Sequence, residues 1–135
     1  MSMGIKYEYN TQKIIKDFSD LFAWQESHKL VLFVYKLAKK FPEDEKFGLT
    51  SQIKRAVVSV TSNIAEGFGR NTKKDKTQFY AIAKGSLYET DNQLKIALDL
   101  GYVSESDYKI AKENIYKCLR LISGLAKSAF DCKPL

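Results

Sequence analysis

Apolar residues recur every three or four positions along most of the chain, which is the period of an amphipathic α-helix. Residues 49–68 carry one such series: Leu49, Ile53, Val57, Val60, Ile64 and Phe68. Residues 108–126 carry another: Tyr108, Ala111, Ile115, Cys118 or Leu119, Ile122, and Leu125 or Ala126. Each series predicts a helix that buries one face in a common core.

Start and stop signals predict four helices, at about 21–41, 50–68, 72–100 and 104–127. Ser19 and Asp20 are the expected caps of the first helix, and Pro42 ends it because the residue before a proline avoids the α region. Gly69 is expected to close the second helix in a left-handed conformation. Gly101 is expected to end the third helix.

Capping boxes predict the starts of the third and fourth helices, at Thr72 with Asp75 and at Ser104 with Asp107. Short turns between long helices make neighbours antiparallel. The predicted fold is therefore all-α, an up-down-up-down four-helix bundle over residues 20–128. An N-terminal arm (1–19) precedes it and a C-terminal tail (129–135) follows.

Two features of these helices predict close contacts. The segment 30–35, LVLFVY, is apolar almost all round, so the first helix is expected to bury a second side in a subunit interface. Gly85 lies inside the third helix, where Gly costs roughly 1 kcal/mol against Ala. We expect Gly85 to mark a close crossing of two helices.

A polar series shares the second helix with its apolar series. Gln52 and Arg55 fall at helical spacing there, and Glu89 and Gln93 do so on the third helix. Folding this hairpin near residue 71 sets position 55 opposite about position 87. The spacing predicts a polar seam, with an Arg55–Glu89 ion pair that sets register; the alternative is two solvated surface charges.

The formal net charge is +6, from 22 Lys and Arg against 16 Asp and Glu, which favours anionic partners such as RNA. Arg70, Lys73, Lys74 and Lys76 cluster at the turn before the third helix, where helix amides also attract anions. Nearby Phe68, Phe79 and Tyr80 are candidates to stack on exposed bases. The alternative is a solvated turn that aids solubility.

Catalytic and metal signals are absent from the sequence. The single histidine, His28, has no evident catalytic partner, and no Glu-x-x-His pair occurs, which excludes a di-iron bundle. Cys118 and Cys132 are expected to be free thiols. We predict no enzyme activity and no cofactor. Without an apolar signal sequence or membrane span, the protein is expected to be soluble and cytoplasmic.

The chain resembles bacterial four-helix-bundle proteins found as reading frames inside intervening sequences of 23S ribosomal RNA genes. The likeness covers about residues 18–101. It is carried by Trp24-Gln25, Leu30, Tyr35, Phe41-Pro42, Glu45, Gly48-Leu49-Thr50-Ser51-Gln52-Ile53, Arg55-Ala56, Ser59, Ser62-Asn63-Ile64-Ala65-Glu66-Gly67, Phe79, Ala83, Gly85-Ser86-Leu87, Glu89 and Leu100-Gly101-Tyr102. The chain departs from the family pattern at Thr61, Thr90 and Asp91.

This resemblance implies a left-handed bundle that assembles into a homopentamer. It also implies kinship with the accessory variability protein of diversity-generating retroelements, a basic bundle that associates with a reverse transcriptase and nucleic acid. No catalytic residue comes with the family. The resulting hypotheses are an oligomeric bundle that binds RNA through basic surfaces or, alternatively, an adaptor for a protein partner such as a reverse transcriptase.

Overall fold

The computed structural model describes residues 14–131, which form four α-helices and their connecting turns. The helices are α1 (Phe22–Ala38), α2 (Leu49–Phe68), α3 (Lys73–Asp99) and α4 (Glu105–Asp131). Short 3-10 turns, Phe18–Asp20 and Glu43–Glu45, precede α1 and α2. These residues include no strand, so the predicted all-α class is confirmed.

The helices pack in a closed ring, with contacts from α1 to α2, α3, α4 and back to α1. Lys84, in the first half of α3, reaches Ser123 in the second half of α4. Asp91, further along α3, meets Lys112, which comes earlier in α4. The two helices are therefore antiparallel, and the architecture is the four-helix bundle that the hydrophobic period predicts.

The core is built from the apolar series read in the sequence. Side chains with no exposed surface come from all four helices: Leu30 and Val34 of α1, Ile53, Val57, Val60 and Ile64 of α2, Ala83, Leu87, Leu94 and Ala97 of α3, and Ala111, Cys118 and Ile122 of α4. Full burial of one Leu, Ile or Val side chain contributes about 1.5–3 kcal/mol. These contacts hold the four helices together.

The start of α1 differs from the prediction. Ser19 and Asp20 lie inside the 3-10 turn and do not cap α1. The Asp17 carboxylate accepts from the Ser19 amide at 3.1 Å, and the Asp20 carboxylate accepts from the Asp17 amide at 3.0 Å. This reciprocal box closes the turn first, and α1 then begins after Leu21 without a side-chain cap.

The other end of α1 is also shorter than predicted, at Ala38 instead of Phe41. The amides of Lys40 and Phe41 bond to carbonyls three residues back, at 3.0 and 3.1 Å, so the last turn tightens before Pro42. α4, in contrast, ends at Asp131 and not near 127, so part of the predicted tail is helical. Residues 1–13 of the predicted arm, and Cys132, lie outside the described residues.

The caps of α3 and α4 agree with their predicted positions. The Thr72 hydroxyl accepts from the Asp75 amide and the Ser104 hydroxyl accepts from the Asp107 amide, both at 3.1 Å. Each bond satisfies one of the amides that a helix start leaves unpaired. α3 and α4 therefore begin directly after Thr72 and Ser104, as the sequence predicts.

Two glycine predictions need correction. Gly69 has a φ of −81°, in the right-handed region, and the left-handed glycine is Gly101, with a φ of 82°. Gly85 is exposed, and a Cβ there would have no neighbour within 4 Å. The close crossing is at Gly67, where an added Cβ would lie 2.6 Å from the Tyr80 ring.

Substitution by alanine should change the free energy of unfolding in opposite directions at Gly85 and at Gly101. Gly85→Ala should raise the free energy of unfolding by about 0.5–1 kcal/mol, because Ala restricts the unfolded chain and meets no neighbour. Gly101→Ala should lower it by about 1–2 kcal/mol through left-handed strain. Urea unfolding at one protein concentration, followed by circular dichroism, measures both. Shifts of the same sign would contradict the assignment.

The predicted polar seam between α2 and α3 is formed only in part. The Ser86 hydroxyl donates to the Ser59 hydroxyl at 2.9 Å, so two small side chains meet at the interface. Gln52, Arg55 and Glu89 are exposed. The ion pairs of residues 14–131 do not include Arg55 with Glu89. Both charges lie at the rim of the contact, where water solvates them.

Gln93, the fourth seam residue, is buried. Its Nε2 lies 3.5 Å from a Glu89 carboxylate oxygen, at the limit of a hydrogen bond, and its Oε1 has no partner among the described residues. The seam therefore consists of the two serines and one poorly satisfied amide. It contributes less to register than the apolar core on either side.

The buried charge of the bundle lies between α3 and α4. The Asp91 carboxylate accepts from the Tyr108 hydroxyl at 2.8 Å and from the Lys112 ammonium, and Lys95 lies 3.8 Å away. The hydrogen bond and charge of Asp91 raise the pKa of Lys112 above its usual value. Lys112 therefore stays charged beside a nearly buried carboxylate.

Alanine substitutions at Asp91 and at Arg55 should have different effects on stability, because Asp91 is buried and Arg55 is exposed. Asp91→Ala should lower the free energy of unfolding by about 2 kcal/mol, because it deletes charged hydrogen bonds and leaves buried donors unpaired. Arg55→Ala should change it by less than about 0.5 kcal/mol. Urea unfolding of both variants measures the difference. An Arg55→Ala protein as unstable as Asp91→Ala would restore the seam as a register device.

Candidate nucleic-acid interface

The turn between α2 and α3 carries the predicted basic cluster at one end of the bundle. Gly67 and Tyr80 hold the two helices together just inside the turn. Arg70 and Lys74 are exposed and Lys73 is half-buried. Thr72 caps α3 through the Asp75 amide, so the positive end of the α3 dipole points outward at this turn. The structure therefore places Arg70, Lys73 and Lys74 within one surface.

Arg70 is held by two neighbours. Its guanidinium lies 3.4 Å from the Glu66 carboxylate and stacks over the Phe79 ring, 4.5 Å from the ring centre. About half of each charged side chain remains exposed, so the ion pair is a weak surface one. A guanidinium fixed in this way still presents donors to a ligand in solvent.

Lys76 has a different role from the other three cations. Its ammonium donates to the Phe68 carbonyl at 2.7 Å and to the Gly67 carbonyl at 3.3 Å. These carbonyls end α2, so Lys76 caps that helix. Burial lowers the pKa of Lys76 below its usual value. The Gly69 and Arg70 amides bond to the preceding carbonyls of α2, so the helix closes without a left-handed Gly69.

The rings expected to stack on bases at this turn differ in how far they are covered. Tyr80 is 2% exposed and packs against Gly67. Phe79 lies under Arg70, and the Lys76 ammonium lies 5.6 Å from the centre of the Phe68 ring. The prediction is wrong for Tyr80, whose buried ring packs α2 on α3. The turn therefore offers charge together with the two half-buried rings of Phe68 and Phe79.

Sequence reasoning missed exposed aromatic residues elsewhere. Tyr88 of α3 is 61% exposed and Tyr116 of α4 is 50% exposed, beside several lysines. Both tyrosines directly follow a core residue, Leu87 or Ile115, which is a position about 100° away from the core-facing line of the helix. The sequence could have shown this, because neither tyrosine belongs to the apolar series that predicts the core.

A shallow groove of about 430 Å³ runs along the outer face of α2. It is lined by Tyr35, Lys54, Arg55, Val58, Ser59 and Ser62. The Lys54 ammonium lies 5.1 Å from the centre of the Tyr35 ring. Leu32, on the same helix as Tyr35, is 58% exposed. Within the single chain, the outer side of the LVLFVY segment is therefore not covered.

His28 and Cys118 both take part in the packing of the bundle. His28 stacks on Trp24, with ring centres 4.6 Å apart. Burial raises the pKa of the Cys118 thiol to about 11, so the thiol stays protonated at neutral pH. Within residues 14–131, no three His, Cys, Asp or Glu side chains stand close enough to hold a metal ion. No helix of that part could span a membrane.

Comparisons with known proteins agree with this architecture. The crystal structure of a protein with unknown function from the S23 ribosomal protein family of Bacteroides thetaiotaomicron VPI-5482 matches with a TM-score of 0.71. The two are 21% identical, over 78% of this chain and 95% of that one, so the likeness shows the fold alone. No curated protein matches the chain. The family model of the 23S rRNA-intervening sequence protein matches residues 19–124, and the chain therefore belongs to that family.

Proposed function

We propose that this protein is a non-enzymatic, oligomeric bundle that binds RNA in the cytoplasm, with the basic turn as a contact surface. The observation that carries the proposal is the grouping of Arg70, Lys73 and Lys74 at the start of α3. The net charge of +6 and the family's name, which refers to intervening sequences of 23S rRNA, support the same reading.

The chemistry of the turn suits phosphate groups. Lysine and arginine side chains neutralise phosphates and release counterions, and the amides at a helix start add an oriented positive field. Because the exposed groups of the turn are mainly cations, these contacts would be to the RNA backbone and would carry little sequence information. This turn would therefore bind structured RNA and single strands alike.

Oligomerisation would multiply this weak surface. Leu32, Tyr35 and Val58 form an exposed apolar area on α1 and α2, and they are 58%, 38% and 37% exposed. A second copy packed there would cover the outer side of the LVLFVY segment. Several copies of the basic turn on one assembly would then bind one RNA together, which raises avidity without any new contact. A pentamer is the stoichiometry that the family resemblance implies.

The second candidate function is a protein-interaction adaptor, with a reverse transcriptase as one possible partner class. The groove on α2 favours it, because Tyr35 and Val58 offer apolar contacts and Lys54 and Arg55 offer charges to an amphipathic helix bearing carboxylates. In that case the basic turn would only keep the protein soluble. The adaptor makes no direct contact with nucleic acid, so RNA binding by the purified parent protein at low salt separates the two candidates.

Removing the three turn charges should weaken RNA binding. The triple variant Arg70→Gln, Lys73→Gln, Lys74→Gln should bind a structured RNA more weakly, and the slope of log affinity against log salt should become shallower by about two to three. Fluorescence anisotropy with a labelled RNA hairpin, from low to physiological salt, measures both. Lys76 is left intact because it caps α2.

The matched control removes three exposed lysines near the opposite end of the bundle, Lys39, Lys40 and Lys46. It alters the net charge equally, so equal losses in the two variants would assign binding to overall charge and not to the turn. A parent protein that binds no RNA even at low salt would overturn the proposed function.

The apolar area predicts the oligomer interface. Leu32→Glu should shift the protein toward monomer in analytical ultracentrifugation, because a charge buried in an apolar contact is unfavourable. Phe47→Glu is the control, since Phe47 is 90% exposed in the turn before α2. A parent that sediments as a monomer at micromolar concentration would contradict the oligomer.

A further inference from the structure

Besides the basic turn, a surface with both aromatic and basic side chains lies along the outer groove between α3 and α4. Two contacts fix which residues face each other there. The Lys84 ammonium donates to the Ser123 hydroxyl at 3.2 Å, and Lys112 pairs with Asp91. Tyr88 falls between Lys84 and Asp91 on α3, and Tyr116 falls between the matching positions on α4. The two tyrosines therefore lie at about the same level of the bundle.

Both rings are exposed although nothing in the fold requires a tyrosine at either place. Tyr88 and Tyr116 are 61% and 50% exposed, whereas Tyr80 and Tyr108 use their rings or hydroxyls inside the bundle. The Lys112 ammonium lies 5.0 Å from the centre of the Tyr116 ring. Packed helices stand about 8–10 Å apart, so one extended ligand is able to touch both rings.

The charge around the two rings is positive. Lys84, Lys95 and Lys112 border the groove, and the carboxylate among them is Asp91, which is 7% exposed. Tyr108 also donates to that carboxylate, so Asp91 presents little negative charge to solvent. Three ammonium groups against one carboxylate leave a net positive charge along the groove, with Lys95 also bonded to the Tyr108 hydroxyl.

The flanking residues fit this picture. Arg120 is exposed one turn after Tyr116, on the same side of α4 as Glu113, so these two charges offset each other. The nearest exposed carboxylates in sequence are Glu89 and Glu113. Each lies one residue, about 100° round its helix, from Tyr88 or Lys112. Glu89 is turned away from the line of lysines along the groove, and the charge of Glu113 is balanced by Arg120.

We propose that this surface, defined by Lys84, Tyr88, Lys95, Lys112 and Tyr116, binds single-stranded RNA. Bases stack on the exposed rings of Tyr88 and Tyr116, and the lysines contact the phosphates between them. The inference rests on the proposed RNA binding but assigns a different surface and a different substrate class. A duplex keeps its base faces stacked internally, so only an unpaired strand gains from the two rings.

The test compares single-stranded and duplex RNA. Tyr88→Ala and Tyr116→Ala should each weaken binding of a labelled unpaired 15-mer by about fivefold or more, the loss typical of one stacked base. Binding of a duplex of the same length should change less than twofold. Anisotropy titrations at one low salt concentration measure all four cases, with circular dichroism confirming that the variants are folded.

Two controls isolate stacking from other effects. Tyr88→Phe keeps the ring and should bind the unpaired strand nearly as the parent does. Phe47→Ala removes a ring that is 90% exposed away from this surface and should change neither affinity. Equal losses in Tyr88→Ala and Tyr88→Phe would mean that the hydroxyl, not the ring, makes the contact, which would overturn the stacking.

The outcomes separate this inference from the proposed function. If both alanine variants bind the unpaired strand as the parent does while the turn variant loses affinity, the α3–α4 surface is rejected and the basic turn stands. If the alanine variants lose affinity but the turn variant does not, the α3–α4 surface replaces the turn as the binding site. If the parent binds neither RNA, both proposals fall.

Discussion

The close packing of α2 on α3 is the constraint on which the rest of the structure depends. Gly67 admits the Tyr80 ring, Ser59 meets Ser86 further along the hairpin, and Lys76 closes the carbonyls that end α2. A larger residue than Gly67 would push the helices apart at the point where the turn begins. The same contacts position the basic turn, so a packing requirement determines where its charges are displayed.

Charged residues of the bundle occupy two kinds of environment, one nearly buried and one in contact with water. Asp91 is nearly buried and satisfied by Tyr108 and Lys112, whereas Arg55 and Glu89 stay at the rim in water. A buried carboxylate needs partners because desolvation is unfavourable, and a rim charge needs none. Neutralising Asp91 internally is also what leaves the outer α3–α4 groove positive. Under the proposed RNA binding, stability and ligand preference are connected through this one side chain.

Helix content, helix order and the core were predictable because they follow from local periodicity. A residue such as Ile53 or Ile64 repeats at the helical period and is buried wherever the helix packs. Helix ends were less predictable. Asp17, and not Ser19, caps the first turn of the chain. The end of α1 is set by the tighter hydrogen bonds that the chain forms just before Pro42. Small differences in local hydrogen bonding decide such boundaries.

The sequence by itself determined the four helices, their core-facing residues, the caps at Thr72 and Ser104, and the basic turn with Arg70. Only the tertiary structure decided that Lys76 caps α2, that Gly67 and not Gly85 marks the close crossing, and that Tyr88 and Tyr116 share a surface. Periodicity places a residue on a face of its own helix. Which side chain from another helix meets it depends on rotation, register and packing distance, and these exist only in the assembled bundle.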